Sequence, residues 1–235
     1  KYLASVVNCP AKHYRTFKVP KRRGGSRTIM APYPALLECQ RWINRNLLSL
    51  IPVHPACHGF TPGKSILSNA AKHLDSDQLL KIDLKDFFPS IPLRRVIAIF
   101  RRMGYPRNVS FYLSRLCCCN DRLPQGAATS PAISNIAAFM LDARLSAFCE
   151  KKGLNYSRYA DDIAISGYKV SVGILKFAEK VITEEGFALN TEKTCLYRSG
   201  GKRILTGISI SGDEPKIPKA VKRKLRQEAH YVIKH

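Results

Sequence analysis

Asp161 and Asp162 stand side by side in a chain otherwise poor in acid, with 17 aspartates and glutamates against 39 lysines and arginines, a formal charge of +22 over 235 residues. Strand-like segments flank the pair, Asn155 to Tyr159 before it and Ile163 to Ser166 after it, so Ala160-Asp161-Asp162 reads as the tip of a tight hairpin. A third carboxylate, Asp83, lies near the end of Leu79-Leu80-Lys81-Ile82-Asp83-Leu84, an apolar run of strand length. Neighbouring carboxylates resist ionising together unless a cation offsets them. Side chains alternate along a strand, so Asp161 is expected to point into a site shared with Asp83, with Asp162 beside or beneath it. Carboxylates on strand ends can hold two divalent ions about 3.5 to 4 Å apart, one activating an attacking hydroxyl and the other neutralising a leaving diphosphate. Hard oxygen ligands imply Mg2+, with Mn2+ as a substitute. The competing reading is a polar turn capped by its aspartates.

The elements that must position these groups follow from periodicity. Tyr14-Arg15-Thr16-Phe17-Lys18-Val19-Pro20 alternates, Arg22-Arg23-Gly24-Gly25-Ser26 supplies turn chemistry, and Arg27-Thr28-Ile29-Met30 is again extended, giving a basic hairpin. Pro34 to Leu50 carries Leu36, Leu37, Trp42, Ile43, Leu47 and Leu48 at helical spacing and closes at Ile51-Pro52. Further helices are expected over Pro92 to Met103, Arg107 to Cys118, Val170 to Glu185 and Pro218 to Ile233. One more begins at a Ser130-Pro131 cap and carries the apolar stripe Ile133, Ala137, Met140, Leu141, Leu145 and Phe148 to its end before Gly153. Lys202 to Ile210 reads as a strand. Strands and helices alternate irregularly, which favours an α+β sheet backed by helices over a doubly wound parallel sheet.

Composition narrows the function classes. At 45% hydrophobic residues the chain can bury a core, and the charge excess points to a polyanionic partner. The first thirty positions hold Lys12, Arg15, Lys18, Lys21, Arg22, Arg23 and Arg27, and Glu38 is the only acid before Asp75. No apolar run approaches the roughly 18 residues of a membrane span. The eight cysteines, three of them consecutive at Cys117, Cys118 and Cys119, are expected to be reduced buried hydrophobes in a cytoplasmic protein.

Three longer motifs occur in order: Asp83-Leu84-Lys85-Asp86-Phe87-Phe88-Pro89-Ser90-Ile91, Leu123-Pro124-Gln125-Gly126-Ala127-Ala128-Thr129-Ser130-Pro131, and Tyr159-Ala160-Asp161-Asp162. Together they closely resemble the catalytic motifs of reverse transcriptases. Asn69-Ala70-Ala71-Lys72-His73 upstream and Leu205-Thr206-Gly207 downstream resemble the bacterial retron branch, with Leu205 in place of the usual valine. From chemistry alone, Asn69 and His73 read equally well as a surface hydrogen-bonding pair.

The resemblance implies a right-hand polymerase fold: fingers over 1–78 with part of the 92–125 region, a palm over 79–210 and the start of a helical thumb over 211–235. It implies that Asp83 and Asp161 bridge two metal ions, that Asp162 supports them and that the Leu84 carbonyl completes one shell. Lys193 would protonate the leaving diphosphate, or else is a solvated lysine paired with Glu192. Arg27 and Lys21 would clasp the triphosphate of a deoxynucleotide, Phe88 would exclude a ribose 2′-hydroxyl or else pack in the core, and Gln125 and Gly126 would lie beneath the nucleotide. Lys18, Arg22, Arg23, Tyr159, Thr206, Gly207, Lys222 and Arg223 would contact nucleic acid. The implied partners are a structured noncoding RNA serving as template and primer, its cDNA product in an RNA-linked form (msDNA), dNTPs and an effector protein in defence against phage. Rival readings are a group II intron or other phage-defence reverse transcriptase, and an RNA-binding scaffold with a vestigial site. A chain that begins at Lys1 and ends within one basic helix is expected to lack its native start and most of a family-sized thumb.

Overall fold

The computed structural model describes residues 2–21, 24–198 and 200–234, so Arg22 and Arg23 lie outside the described residues. Contacts divide the chain into two units, one of Lys1–His54, Lys85–Leu141 and Ile182–Ala188, the other of Pro55–Leu84, Asp142–Val181 and Leu189–His235.

In the first unit, helix α1 (Tyr2–Asn8) precedes a hairpin of β1 (Tyr14–Pro20) and β2 (Ser26–Pro32), in register from Tyr14 opposite Pro32 to Pro20 opposite Ser26. Helix α2 (Pro34–Asn46) takes proline in its first turn, where no intrahelical N–H is needed. It stops short of the expected Leu50, which instead belongs to a 3-10 turn over Leu48–Leu50. Its inward face is Leu36, Gln40 and Ile43, while Trp42, expected in the apolar stripe, is 58% exposed. The buried Gln40 fixes three elements: Nε2 donates to Tyr14 Oη at 2.7 Å and to the Leu116 carbonyl at 2.9 Å, and Oε1 accepts from Ala128 N at 3.0 Å. All polar atoms of a buried amide are thereby engaged, as burial requires.

After Leu84 this unit contributes α4 (Leu93–Arg102) and α5 (Arg107–Cys117), which match the expected helices to within two residues. The segment read as one Ser130-capped helix breaks at Ala138 into α6 (Ser130–Ala137), which lies in this unit, and α7 (Phe139–Lys151), which from Asp142 onward belongs to the second. Thr129, not Ser130, is the N-cap, and the Ser130 hydroxyl donates instead to the Pro124 carbonyl at 2.6 Å, tethering the preceding loop. Met140, placed in the apolar stripe, is 50% exposed because the break changes which residues face inward.

The second unit centres on an antiparallel sheet of order β4-β5-β3-β6, with β3 (Gln78–Leu84), β4 (Asn155–Tyr159), β5 (Asp162–Gly167) and β6 (Leu189–Tyr197). Leu79, Leu80, Ile82 and Leu84 are all buried, which explains why β3 reads as a continuous apolar run rather than an alternating one. Strand β6 has no counterpart in the sequence reading, since Asn190, Thr191, Glu192 and Lys193 give little apolar alternation. Its register is interrupted: the step from Lys81 to Asp83 on β3 faces the longer step from Cys195 to Asn190 on β6, so the intervening residues bulge. Helix α8 (Val172–Glu184) meets α7 through Phe148 and Phe177, stacked at 3.9 Å. The expected strand over Lys202 to Ile210 is a minimal hairpin, β7 (Ile204–Leu205) and β8 (Ile208–Ser209), turning at Thr206-Gly207 with both residues at positive φ. Short α3 (Ile66–Ala71) packs on it, Ala70 joining Leu79, Ala164, Leu205, Ile208 and Ile210 in one apolar cluster. The terminal α9 (Lys219–Lys234) carries Lys222 and Arg223 exposed. No single helix among the described residues is long and apolar enough to cross a membrane.

Candidate active site

Strand pairing assembles the carboxylates. Asp83 is the register partner of Asp162, so the two project from neighbouring strands at the end of the β3–β5 ladder. Asp161 occupies the turn just before, and its carbonyl accepts the Leu84 N–H at 2.9 Å, closing the turn onto the end of β3. The cross-strand neighbour of Asp83 is thus Asp162. Asp161 and Asp162 are both electrostatically coupled to Asp83. Burial, then Asp162 and Asp83, push the Asp161 carboxyl above the ordinary carboxylate range; burial pushes Asp162 up too, Asp83 adding to it and Lys81 opposing it. Asp83 itself is 6% exposed.

Strand β6 supplies the counter-groups. Lys193 Nζ lies 3.0 Å from Asp83 Oδ1 and 3.2 Å from Oδ2, and Asn190 Nδ2 donates to Oδ1 at 2.8 Å. The alternative pairing of Lys193 with Glu192 is replaced by this one, because the bulge turns the lysine back toward the sheet. Nothing in the sequence marks Asn190 beyond its place before the lysine in Asn190-Thr191-Glu192-Lys193.

Hard carboxylate oxygens are the donors that Mg2+ and Mn2+ favour. Two carboxyls raised by burial and mutual repulsion, with an ammonium drawn onto the third, form a place where positive charge is stabilised. Among the described residues no three acidic, cysteine or histidine side chains are closed around one point, and Lys193 holds the Asp83 oxygens. The donor chemistry fits divalent ions, which Asp83, Asp161 and Asp162 would hold.

The other expected groups fall in two places. Lys18, Lys21 and Arg27 are exposed on the β1–β2 hairpin, Lys21 at its turn and Arg27 opposite Val19. On the same unit the Gln125 carbonyl accepts the Met30 N–H at 2.8 Å, which seats the Gln125-Gly126 loop on β2. Gly126 has φ +123, and a Cβ there would stand 2.9 Å from the Met30 carbonyl, so a side chain is excluded. Of the two adjacent phenylalanines, Phe87 takes the core position, 4% exposed against Phe187, while Phe88 is half-buried. Tyr159, half-buried, ends β4 opposite Asp162 in the second unit. Thr206 and Gly207 sit at the β7–β8 turn of that unit.

His73 and Asn69 are not a surface pair. Both are buried, His73 Nδ1 lying 2.7 Å from Ser166 Oγ and Nε2 2.7 Å from Ser157 Oγ, whose hydroxyl also donates to Asn69 Oδ1 at 2.7 Å. The network ties the segment after α3 to the strands on either side of the aspartate turn. Local spacing gave no sign of it because every partner lies more than eighty residues away.

Comparison with known proteins adds to this geometry. The family described as reverse transcriptase (RNA-dependent DNA polymerase) matches residues 19–226. The chain is 37% identical to the retron Mx162 reverse transcriptase of Myxococcus xanthus, over 94% of this chain and 53% of that protein. It is 35% identical to the retron Ec86 reverse transcriptase of Escherichia coli, over 94% of this chain and 70% of that one. The chain thus spans about half the length of the first of these relatives. Among solved structures, a foamy viral protease-reverse transcriptase in complex with double-stranded DNA aligns at TM-score 0.58 and 20% identity, covering 91% of this chain and 32% of that one. Telomerase from Candida albicans aligns at TM-score 0.58 and 10% identity, covering 83% and 45%. These two likenesses are of fold.

Proposed function

The chain belongs to the reverse transcriptase (RNA-dependent DNA polymerase) family, in its retron branch, and on that footing we propose that it is an RNA-directed DNA polymerase making cDNA on a structured noncoding RNA. The observation that carries the reading is Asp83 opposite Asp162 across β3 and β5, with Asp161 in the adjoining turn, inside a chain of charge +22. Residues 1–78 with part of the 92–125 region are read as fingers, 79–210 as palm and 211–235 as the start of a thumb. Two divalent ions, when bound, would supply activation of the primer hydroxyl and charge neutralisation at the leaving diphosphate. Asp83, Asp161 and Asp162 would hold them, together with the Leu84 carbonyl. Lys193, released from Asp83, donates a proton to the departing diphosphate. Arg27 and Lys21 bind the triphosphate, the planar guanidinium matching phosphate oxygens in pairs. Phe88 lies below the sugar and excludes a 2′-hydroxyl, and the Gln125-Gly126 loop supports the nucleotide. Lys18, Arg22, Arg23, Tyr159, Thr206, Gly207, Lys222 and Arg223 contact template and primer. We extend the proposal to an RNA-linked DNA product and a role beside an effector protein in defence against phage.

The test is incorporation of dNTPs on the protein's copurifying RNA, with Asp161→Asn and Asp83→Asn variants beside the parent. Synthesis is expected to fall at least about 10³-fold, as loss of a major electrostatic group at a reaction centre does, while RNA binding stays within a few-fold of the parent. Unchanged synthesis would refute the reading, and RNA binding without synthesis by the parent would favour the vestigial scaffold.

A further inference from the structure

Behind the aspartate turn lies an ion pair that the chemistry above does not use. Arg158 and Asp142 have fully buried side chains, joined in a fork: Nε donates to Oδ1 at 2.8 Å and Nη2 to Oδ2 at 2.7 Å. The Tyr156 hydroxyl donates to the same Oδ1 at 2.7 Å. The remaining arm of the guanidinium leaves the pair, and Nη1 donates to the Ala160 carbonyl at 2.9 Å. Ala160 is the residue immediately before Asp161, and its φ is +56, a left-handed conformation that alanine rarely adopts. A second element presses on the same peptide. A Cβ on Gly59 would lie 2.5 Å from Ala160 N and 3.1 Å from the Tyr159 carbonyl carbon. That approach is fixed because Arg158 N–H donates to Ala56 O at 2.9 Å and Arg158 O accepts from His58 N–H at 2.7 Å.

Two charges removed from water commonly recover little net stability from their mutual attraction, and a well-packed apolar pair would hold β4 against α7 equally well. An apolar pair offers no donor to a carbonyl, however, and strained backbone persists only where its surroundings over-determine it. We propose that Arg158, locked by Asp142 and backed by Gly59, is a positioning residue: it holds the Ala160 peptide left-handed and so sets where Asp161 and Asp162 stand relative to Asp83. The inference rests on the polymerase reading and deepens it. Arg158 is fully buried, so its influence on the site is exerted through the turn.

The test places Arg158→Met with Asp142→Leu in the full-length protein, so that neither charge is left buried alone. Melting temperature, primer–template Kd, KM for dNTP and single-turnover rate are measured beside the parent. The doubly substituted protein is expected to melt within a few degrees of the parent and bind primer–template equally, with the rate of incorporation down about 10²-fold, the scale of a 1 Å misplacement, and KM little changed. Adding Ala160→Gly, which adopts positive φ without strain, is expected to recover at least about tenfold of that rate. A scaffolding role alone gives no such rescue. Gly59→Ala, which leaves the ion pair intact but drives a methyl into the turn, is expected to slow incorporation comparably if the doubly substituted protein does not fold. Parent-like rates in the folded variants, or a loss without rescue that merely tracks melting temperature, would overturn the positioning role and leave the polymerase reading standing. An inactive parent would overturn both.

Discussion

Asp83 Oδ1 accepts from both Asn190 and Lys193, so the carboxylate is already neutralised by groups of its own chain. Lys193→Ala is expected to lower the single-turnover rate of incorporation by about 10²- to 10⁴-fold, the share of a general acid, with primer–template binding unchanged; an unaltered rate would remove the lysine from the reaction. His73 gives a pH prediction. Burial above all, then Lys72 and His58, lower its pKa to about 3. The unfolded chain gains a proton near pH 6.5 that the folded one refuses until about pH 3, so this contribution to stability is full above 6.5 and is lost as pH falls. Between pH 6.5 and 5 the loss is about 2 kcal/mol. Urea denaturation across that range should show it, and His73→Gln should flatten the dependence by about one proton. At this scale the three aspartates were legible in the sequence because acid is scarce in the chain and the neighbouring motifs are long. Asn190, and the fork of Arg158 on Asp142, were not, since each depends on a pairing between segments far apart in the chain.

Elements were legible where their period was strong and their ends were punctuated. The β1–β2 hairpin, β3, α4 and α5 lie where alternation, helical spacing and glycine or proline put them. The break at Ala138 was hidden because an apolar stripe runs through it without glycine or proline, and β6 because its residues are polar and bulged. Two turns carry predictions. Thr206, β-branched at φ +46, is strained. Thr206→Gly should relieve about 1 kcal/mol and raise the melting temperature by about 2 to 4 °C, while weakening primer–template binding if the hairpin is a nucleic-acid contact. Gly126→Ala should act oppositely, since φ +123 and the Met30 carbonyl both exclude a methyl. A destabilisation of about 1 to 3 kcal/mol and a raised KM for dNTP are expected, read by thermal melting and steady-state kinetics.

For the molecule as a whole, the charge of +22 points to a polyanionic partner without distinguishing one polyanion from another. RNA binding should weaken steeply with salt, by about 10³-fold or more between 50 and 200 mM if six or more phosphates are neutralised, with a linear log–log slope. Filter binding at four ionic strengths measures it, and a flat dependence would contradict a phosphate-dominated interface. The distribution of thiols has its own consequence. All eight cysteines are free, yet Cys57, Cys117, Cys118, Cys119 and Cys149 are buried, and burial pushes Cys117 up to about 12. Cys9 and Cys195 are the exposed ones. Cys195 stands opposite Lys81 on β6, two residues beyond Lys193. After replacement of Cys9, a maleimide dye or nitroxide would settle chiefly on that strand, giving an optical or magnetic reporter on the lysine's movement without engineering a new attachment point.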